Sequence, residues 1–170
     1  MTLARVDAGA EVTTASATAL ATGIREGIIS ARAVVEAHLA LLRRVNPVVN
    51  AVVAQRHDAA RAEAAAADTR AARARAEGPD AVAALPPLLG VPCTVKEAIA
   101  VAGMPNTSGV VSRRGQRAGV SAPVVQRLVD AGAIVVGVTN TSELCLWVES
   151  ENRLYGRTRN PYDPSRTAGG

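Results

Sequence analysis

From position 31 onward the apolar residues Val35, Leu39 and Leu42 recur four and three positions apart, and Val34, Leu41 and Val45 widen the stripe. That spacing is one face of an α-helix. Ser30 stands where an N-cap belongs. Arg43 and Arg44 fall in the expected last turn, where cations suit the helix dipole, and Asn46-Pro47 predicts the stop. A shorter helix is predicted before it over 13–26, ended by Gly27. Residues 50–53 predict a short strand. Residues 55–77, rich in Ala and charge, predict a second long helix by propensity, closing at Gly78-Pro79.

The second half changes character. A Pro-rich approach over 85–92 leads into a short β-branched strand at 93–96. Residues 103–119, dense in Gly, Ser, Asn and Arg, predict a long loop. Ser121 then caps a helix whose stripe is Val124, Val125, Leu128 and Val129, ended by Gly132. Residues 133–138 (AIVVGV) form an apolar run of buried-strand length. Helix, tight glycine turn and buried strand together give an α/β class. Beyond Thr139 the sequence is polar and turn-rich. It ends on Ala168-Gly169-Gly170 with no closing element, which reads as the N-terminal portion of a larger domain. No internal repeat is visible.

Composition narrows the picture. The chain has 170 residues, of which 48% are hydrophobic and 20% charged, enough for a real core. Phe is absent and aromatics are 2%, so Ala, Val, Leu and Ile must fill that core. No apolar run approaches the roughly 20 residues of a membrane span. Arg5, Asp7 and Glu11 interrupt the N-terminus, which argues against a secretory signal. The net charge is +4, but the arginines are scattered. Arg70, Arg73 and Arg75 alternate with Ala and Glu like the wet side of a helix, so no nucleic-acid partner is expected. Cys93 and Cys145 are the only cysteines, with no zinc-type spacing. A reducing, cytoplasmic setting is the default.

One residue stands out chemically. Of 19 Lys and Arg residues, Lys96 is the sole lysine. Arg is effectively never deprotonated, whereas Lys can be neutralised by burial, which makes Lys96 a candidate base. Other chemistries fit poorly. His38 and His57 both fall in predicted helices, and no GxSxG elbow is present. His38 reads as a boundary residue beside the apolar stripe. Cys93 and Cys145 lack a local base and read as small buried hydrophobes. Gly137 stands alone rather than in GxGxxG.

The motifs PLLGVPCTVKEA (87–98), GMPNTSG (103–109), Arg113-Arg114, AGAIVVGVTNTSELCLWVESENRLYGRTRNPYD (131–163) and Gly169-Gly170 agree in order and spacing with one family. The chain resembles the amidase signature family, closest to its fatty-acid amide hydrolase 2 branch, strongly over the last half and more weakly over the first. The resemblance implies the N-terminal portion of the family's α/β fold, a mixed sheet flanked by helices and truncated here. Residues 1–170 would be part of a single amidase domain, 1–80 mainly helical and 85–170 carrying the lysine strand, a helix, a buried strand and a loop. It implies a Ser–cis-Ser–Lys triad with Lys96 as the lysine, and with both serines beyond Gly170. The 170 residues alone would then be inactive. Many members carry Lys where this chain has Val138; the fatty-acid amide branch tolerates the change. The membrane segment of some animal members is missing, which fits a soluble bacterial-type relative.

The same resemblance matches Leu144, Cys145, Leu146 and Trp147 to the segment lining an acyl pocket, set against an ordinary core role. It implies a small-molecule amide substrate, no metal and no cofactor, and is compatible with homo-oligomerisation of the full-length parent. Ser108 and Ser142 lie outside the family's serine motif. In an extended segment Thr94 and Lys96 share one face while Val95 and Glu97 share the other, so Glu97 would cap or orient the following turn rather than pair with Lys96. Rival readings are an amidotransferase component releasing ammonia from glutamine and a non-catalytic remnant.

Overall fold

The computed structural model describes residues 10–169. The N-terminal Arg5 and Asp7, and Gly170 of the closing pair, lie outside them. Within that range the chain is α/β. Its helices are α1 (Ala10–Thr14), α2 (Ala17–Glu26), α3 (Ala31–Val49), α4 (His57–Glu77), α5 (Pro79–Ala83) and α6 (Pro123–Asp130). Its strands are β1 (Val52–Gln55), β2 (Pro92–Lys96), β3 (Ile134–Thr139), β4 (Glu151–Asn152) and β5 (Gly156–Arg157). Among the described residues no helix is long and apolar enough to cross a membrane.

The chain divides into two compact units. One comprises Met1–Leu41, Arg56–Cys93 and Arg127–Val136. Its core is Val12, Leu20, Ile24, Val34, Val35 and Leu39, faced by the alanine edge of α4 at Ala60, Ala64, Ala67, Ala71 and Ala74. The second comprises Leu42–Gln55, Thr94–Gln126 and Gly137–Gly170. It holds the short β4–β5 hairpin and the long loop before α6, cross-linked by a bridge between Pro105 and Arg117.

The sheet order is β1-β3-β2. β1 runs antiparallel to β3, with Val52 opposite Thr139 and Gln55 opposite Gly137. Ile134 N–H donates to Val91 C=O at one end, and Glu97 N–H donates to Thr139 C=O at the other. β2 and β3 therefore run in the same direction and the sheet is mixed. The buried run at 134–138 does occupy the middle strand, as its unbroken apolar character predicts. Gly137 is needed there, since a Cβ would sit 2.6 Å from Ala54 O.

Several boundaries differ from the sequence reading. The single helix over 13–26 is two helices, because Ser16 takes an extended backbone and its Oγ accepts Ala19 N–H, starting α2 afresh. Gly27 ends α2 at φ 76° and Ser30 Oγ caps α3 at Ala33, both as expected. α3 does not stop at Asn46-Pro47. It runs through Pro47 to Val49 and ends where Asn50 turns left-handed at φ 50°, leaving Arg43 and Arg44 short of the last turn. Asn46 explains the shift. Its Oδ1 accepts Ala51 and Val52 N–H and its Nδ2 donates to Val52 C=O, which closes the helix end and aims β1, two residues later than predicted. α4 begins at His57 rather than 55, and α5 was not foreseen. Ser121 does not cap α6; its Oγ accepts Ala102 N–H instead. Of the expected α6 stripe only Val125 is buried, while Val124 and Val129 are exposed.

Candidate active site

Lys96 closes β2, the strand that pairs with the central strand β3. Burial alternates along it. Val95 and Glu97 are buried, Thr94 is exposed and Lys96 is half-buried. The two faces are thus partitioned as the period of two requires. Lys96 shares the more open face with Thr94. Among the described residues none gives its ammonium a hydrogen bond or an ion pair.

Glu97 is the opposite case, with 0% of it exposed. Its Oε1 accepts Thr107 N–H at 2.7 Å, Thr107 Oγ1 at 2.7 Å and Tyr155 Oη at 2.9 Å. Its Oε2 accepts Ser108 N–H at 2.8 Å. A carboxylate is acceptor-only, so four donors match its lone pairs and offset its burial. The turn it grips is the one that follows the strand, so Glu97 orients that turn as its sequence position suggested. Burial first, then Glu97 itself, pushes the Tyr155 phenol up, against the Thr107 hydroxyl, which lowers it.

Sequence reasoning missed the lattice that holds Tyr155. Asn152 Oδ1 accepts the Leu154 and Tyr155 amides, and its Nδ2 donates to Asn140 Oδ1 and Thr141 C=O. Asn140 Nδ2 in turn donates to Gly156 C=O and Thr158 Oγ1. The only prior signal was the concentration of Asn, Thr and Ser in the polar, turn-rich stretch beyond Thr139.

The Leu144–Trp147 segment forms a second feature of the same unit. Leu144 and Cys145 are both left-handed, at φ 52° and 57°. Neither is glycine, and such a conformation costs about 1–2 kcal/mol per residue. The turn is held by Leu144 N–H to Ser108 C=O at 2.8 Å, Cys145 N–H to Ser142 C=O at 3.1 Å, and a Thr141 Oγ1···Cys145 Sγ contact of 3.2 Å. Its result is an exposed apolar run. Leu146 is 77% exposed, Trp147 68% and Val148 77%. Cys145, read from the sequence as a small buried hydrophobe, is exposed in this chain. No described hydrogen bond joins Lys96 to this segment directly; the connection runs through Glu97 and Ser108.

The remaining candidates separate cleanly. The Cys93 thiol is pushed up by burial, with Arg56 lowering it and Glu63 raising it, which disfavours the nucleophilic thiolate. His38 Nδ1 bonds Val34 C=O within its own helix at the edge of the stripe, as read from the sequence. Ser142 is buried, and its Oγ accepts Trp147 N–H at 3.4 Å. Ser108 engages Glu97 and Leu144 through its backbone. Neither serine donates to a described base.

The Amidase family model matches residues 33–170. Fatty-acid amide hydrolase 2-A of Danio rerio is 48% identical over 155 residues, covering 91% of this chain and 29% of that protein. A glutamyl-tRNA(Gln) amidotransferase component of Chloroflexus aurantiacus is 37% identical over 153 residues, 90% of this chain and 30% of its own length. The structure of a bacterial aryl acylamidase of the amidase signature family superposes with a TM-score of 0.80 at 29% identity, covering 92% of this chain and 31% of that one. The chain thus spans under a third of the length of these relatives.

Proposed function

Because the chain belongs to the amidase family, we propose that the full-length protein hydrolyses carboxylic amides with Lys96 as its base. Water and R–CO–NHR′ give a carboxylate and an amine. Such a reaction must remove a proton from a hydroxyl nucleophile and deliver one to a poor leaving group. Lys96 takes the first proton and returns it toward the departing nitrogen, through serines expected after Gly170. The observation that carries this reading is the placement of the chain's single lysine at the end of β2, on the open face, beside a carboxylate turned to the opposite face.

The substrate is lipophilic in this reading. Leu144, Leu146, Trp147 and Val148 expose an apolar run built on a strained turn, and an acyl chain is the chemistry that would cover it. The 170 residues by themselves are expected to leave amides intact. The test compares a long-chain fatty amide, a short aliphatic amide and glutamine as substrates of the full-length protein. Preference for the long chain by kcat/KM supports the reading. Ammonia release confined to glutamine would replace it with the amidotransferase reading.

A further inference from the structure

The Glu97 carboxylate joins two parts of the candidate site that make no direct hydrogen bond to each other. Its backbone follows Lys96, and its own N–H donates to Thr139 C=O at 2.8 Å, so fixing Glu97 fixes the strand end that carries the lysine. Its side chain fixes Thr107 and Ser108 through both backbone amides. Ser108 is left-handed at φ 52°, and its carbonyl accepts Leu144 N–H at 2.8 Å. That bond lands on the first residue of the strained pair Leu144-Cys145. The path from Lys96 to the apolar run is one peptide unit, the Glu97 carboxylate, a hydrogen bond to Ser108 N–H, the Ser108 backbone and a second hydrogen bond from its carbonyl to Leu144.

We propose that Glu97 is a positioning residue that sets the place of the 144–147 segment relative to Lys96, acting through Ser108. Two features make it suited to this. Four donors of good length leave the carboxylate no alternative orientation. The Leu144-Cys145 turn is intrinsically unfavourable and persists only while its surroundings hold it, so losing the Ser108 carbonyl should release it. Gly109 tightens the arrangement, since a Cβ there would sit 2.8 Å from Asn152 Cγ. The inference rests on the proposed reading of Lys96 and 144–147 as parts of one site, and its test must separate the two.

The experiment is amide hydrogen exchange on the full-length protein and its Glu97→Gln variant, with kinetics on long and short amides alongside. Gln keeps the shape but turns a donor toward Thr107 or Ser108. The expected result is exchange faster by at least about tenfold, the factor for losing one good hydrogen bond, in both 106–109 and 143–147, with β3 unchanged. KM for the long amide should rise more than for the short one. Acceleration confined to 106–109 would overturn the proposal, because the 144 turn would then stand without Glu97. If Glu97→Gln accelerates exchange everywhere, Thr107→Val decides. It removes one hydroxyl donor and should give the same two-segment pattern at smaller size; a change that spares 143–147 again overturns the proposal. Coupled exchange in a protein that cleaves no amide would leave the positioning intact and reject the hydrolase reading. Purely local exchange in an active amidase would do the reverse.

Discussion

Asp68 and Arg75 stand seven residues apart on one side of α4 and cap opposite ends of two other helices. Asp68 Oδ1 accepts Ala31 N–H at 2.6 Å and its Oδ2 accepts Arg32 N–H at 3.1 Å, at the start of α3. Arg75 Nη1 donates to Ile24 C=O at 3.1 Å and Arg25 C=O at 3.2 Å, at the end of α2. Each charge meets the helix end whose orphan groups and dipole it complements. Asp68→Ala should lower unfolding free energy by about 1 kcal/mol, as for a lost N-cap. Arg75→Ala should cost less, because Gly27 already closes α2. Urea melts of the two variants test this; an unchanged midpoint in Asp68→Ala would remove Asp68 from its capping role.

Lys96 offers a sharper test. Lys96→Met keeps length and apolar bulk, and Lys96→Arg keeps charge but does not deprotonate near neutral pH. If the amine is the base, both variants of the full-length enzyme lose at least about 10²–10⁴-fold in kcat and Arg gives no rescue. A purely structural lysine gives the opposite order, with Arg near wild type. Turnover and melting temperature measured side by side decide the matter.

Tyr155 makes stability depend on alkaline pH. Burial raises its phenol in the folded state, so between the ordinary value of about 10 and the raised one the native chain binds the extra proton. The contribution is complete below about pH 10 and is lost as pH rises through the folded value. Melting temperature should therefore fall more steeply above pH 10 in the wild type than in Tyr155→Phe. Parallel curves would show that Tyr155 does not carry the alkaline loss.

Gly132 has no room for a side chain. At φ 92° it turns α6 into β3, and a Cβ would lie 2.7 Å from Leu89 Cα and 2.9 Å from Leu89 N. These are backbone atoms that cannot swing aside. Gly132→Ala should destabilise by about 1–3 kcal/mol, with Gly103→Ala, where nothing lies within 4 Å, as the comparison for left-handed strain alone. Equal losses in the two would refute the clash.

What the sequence revealed follows a physical rule. β3 was legible because a strand covered on both faces needs an unbroken apolar run, and 134–138 is one. The alternation of Thr94 to Glu97 gave the correct faces, with Lys96 marked out as the sole lysine among arginines. Features depending on distant partners were not legible. The Pro47 stop failed because Asn46 satisfies three backbone groups beyond it. Arg75 read as plain solvated charge because its partners lie fifty residues upstream. The left-handed Leu144-Cys145 turn carries no glycine to announce it, and the four donors on Glu97 come from 107, 108 and 155.

The inner edge of α4 has a further consequence. Ala60, Ala64, Ala67, Ala71 and Ala74 present nothing longer than a methyl. Larger side chains act as knobs that lock one helix against sliding along another. A row of methyls is nearly a smooth rail, and shifting it by one heptad would bring another methyl to almost every contact. Packing alone would therefore tolerate a slipped α4. What distinguishes the native alignment is the polar hardware beside the rail: Asp68 on α3, Arg75 on α2, and Arg61 paired with Glu36 at 2.5 Å. In this helix the charges act as the ratchet teeth, and the apolar contacts supply adhesion without telling the helix where along its axis to stop.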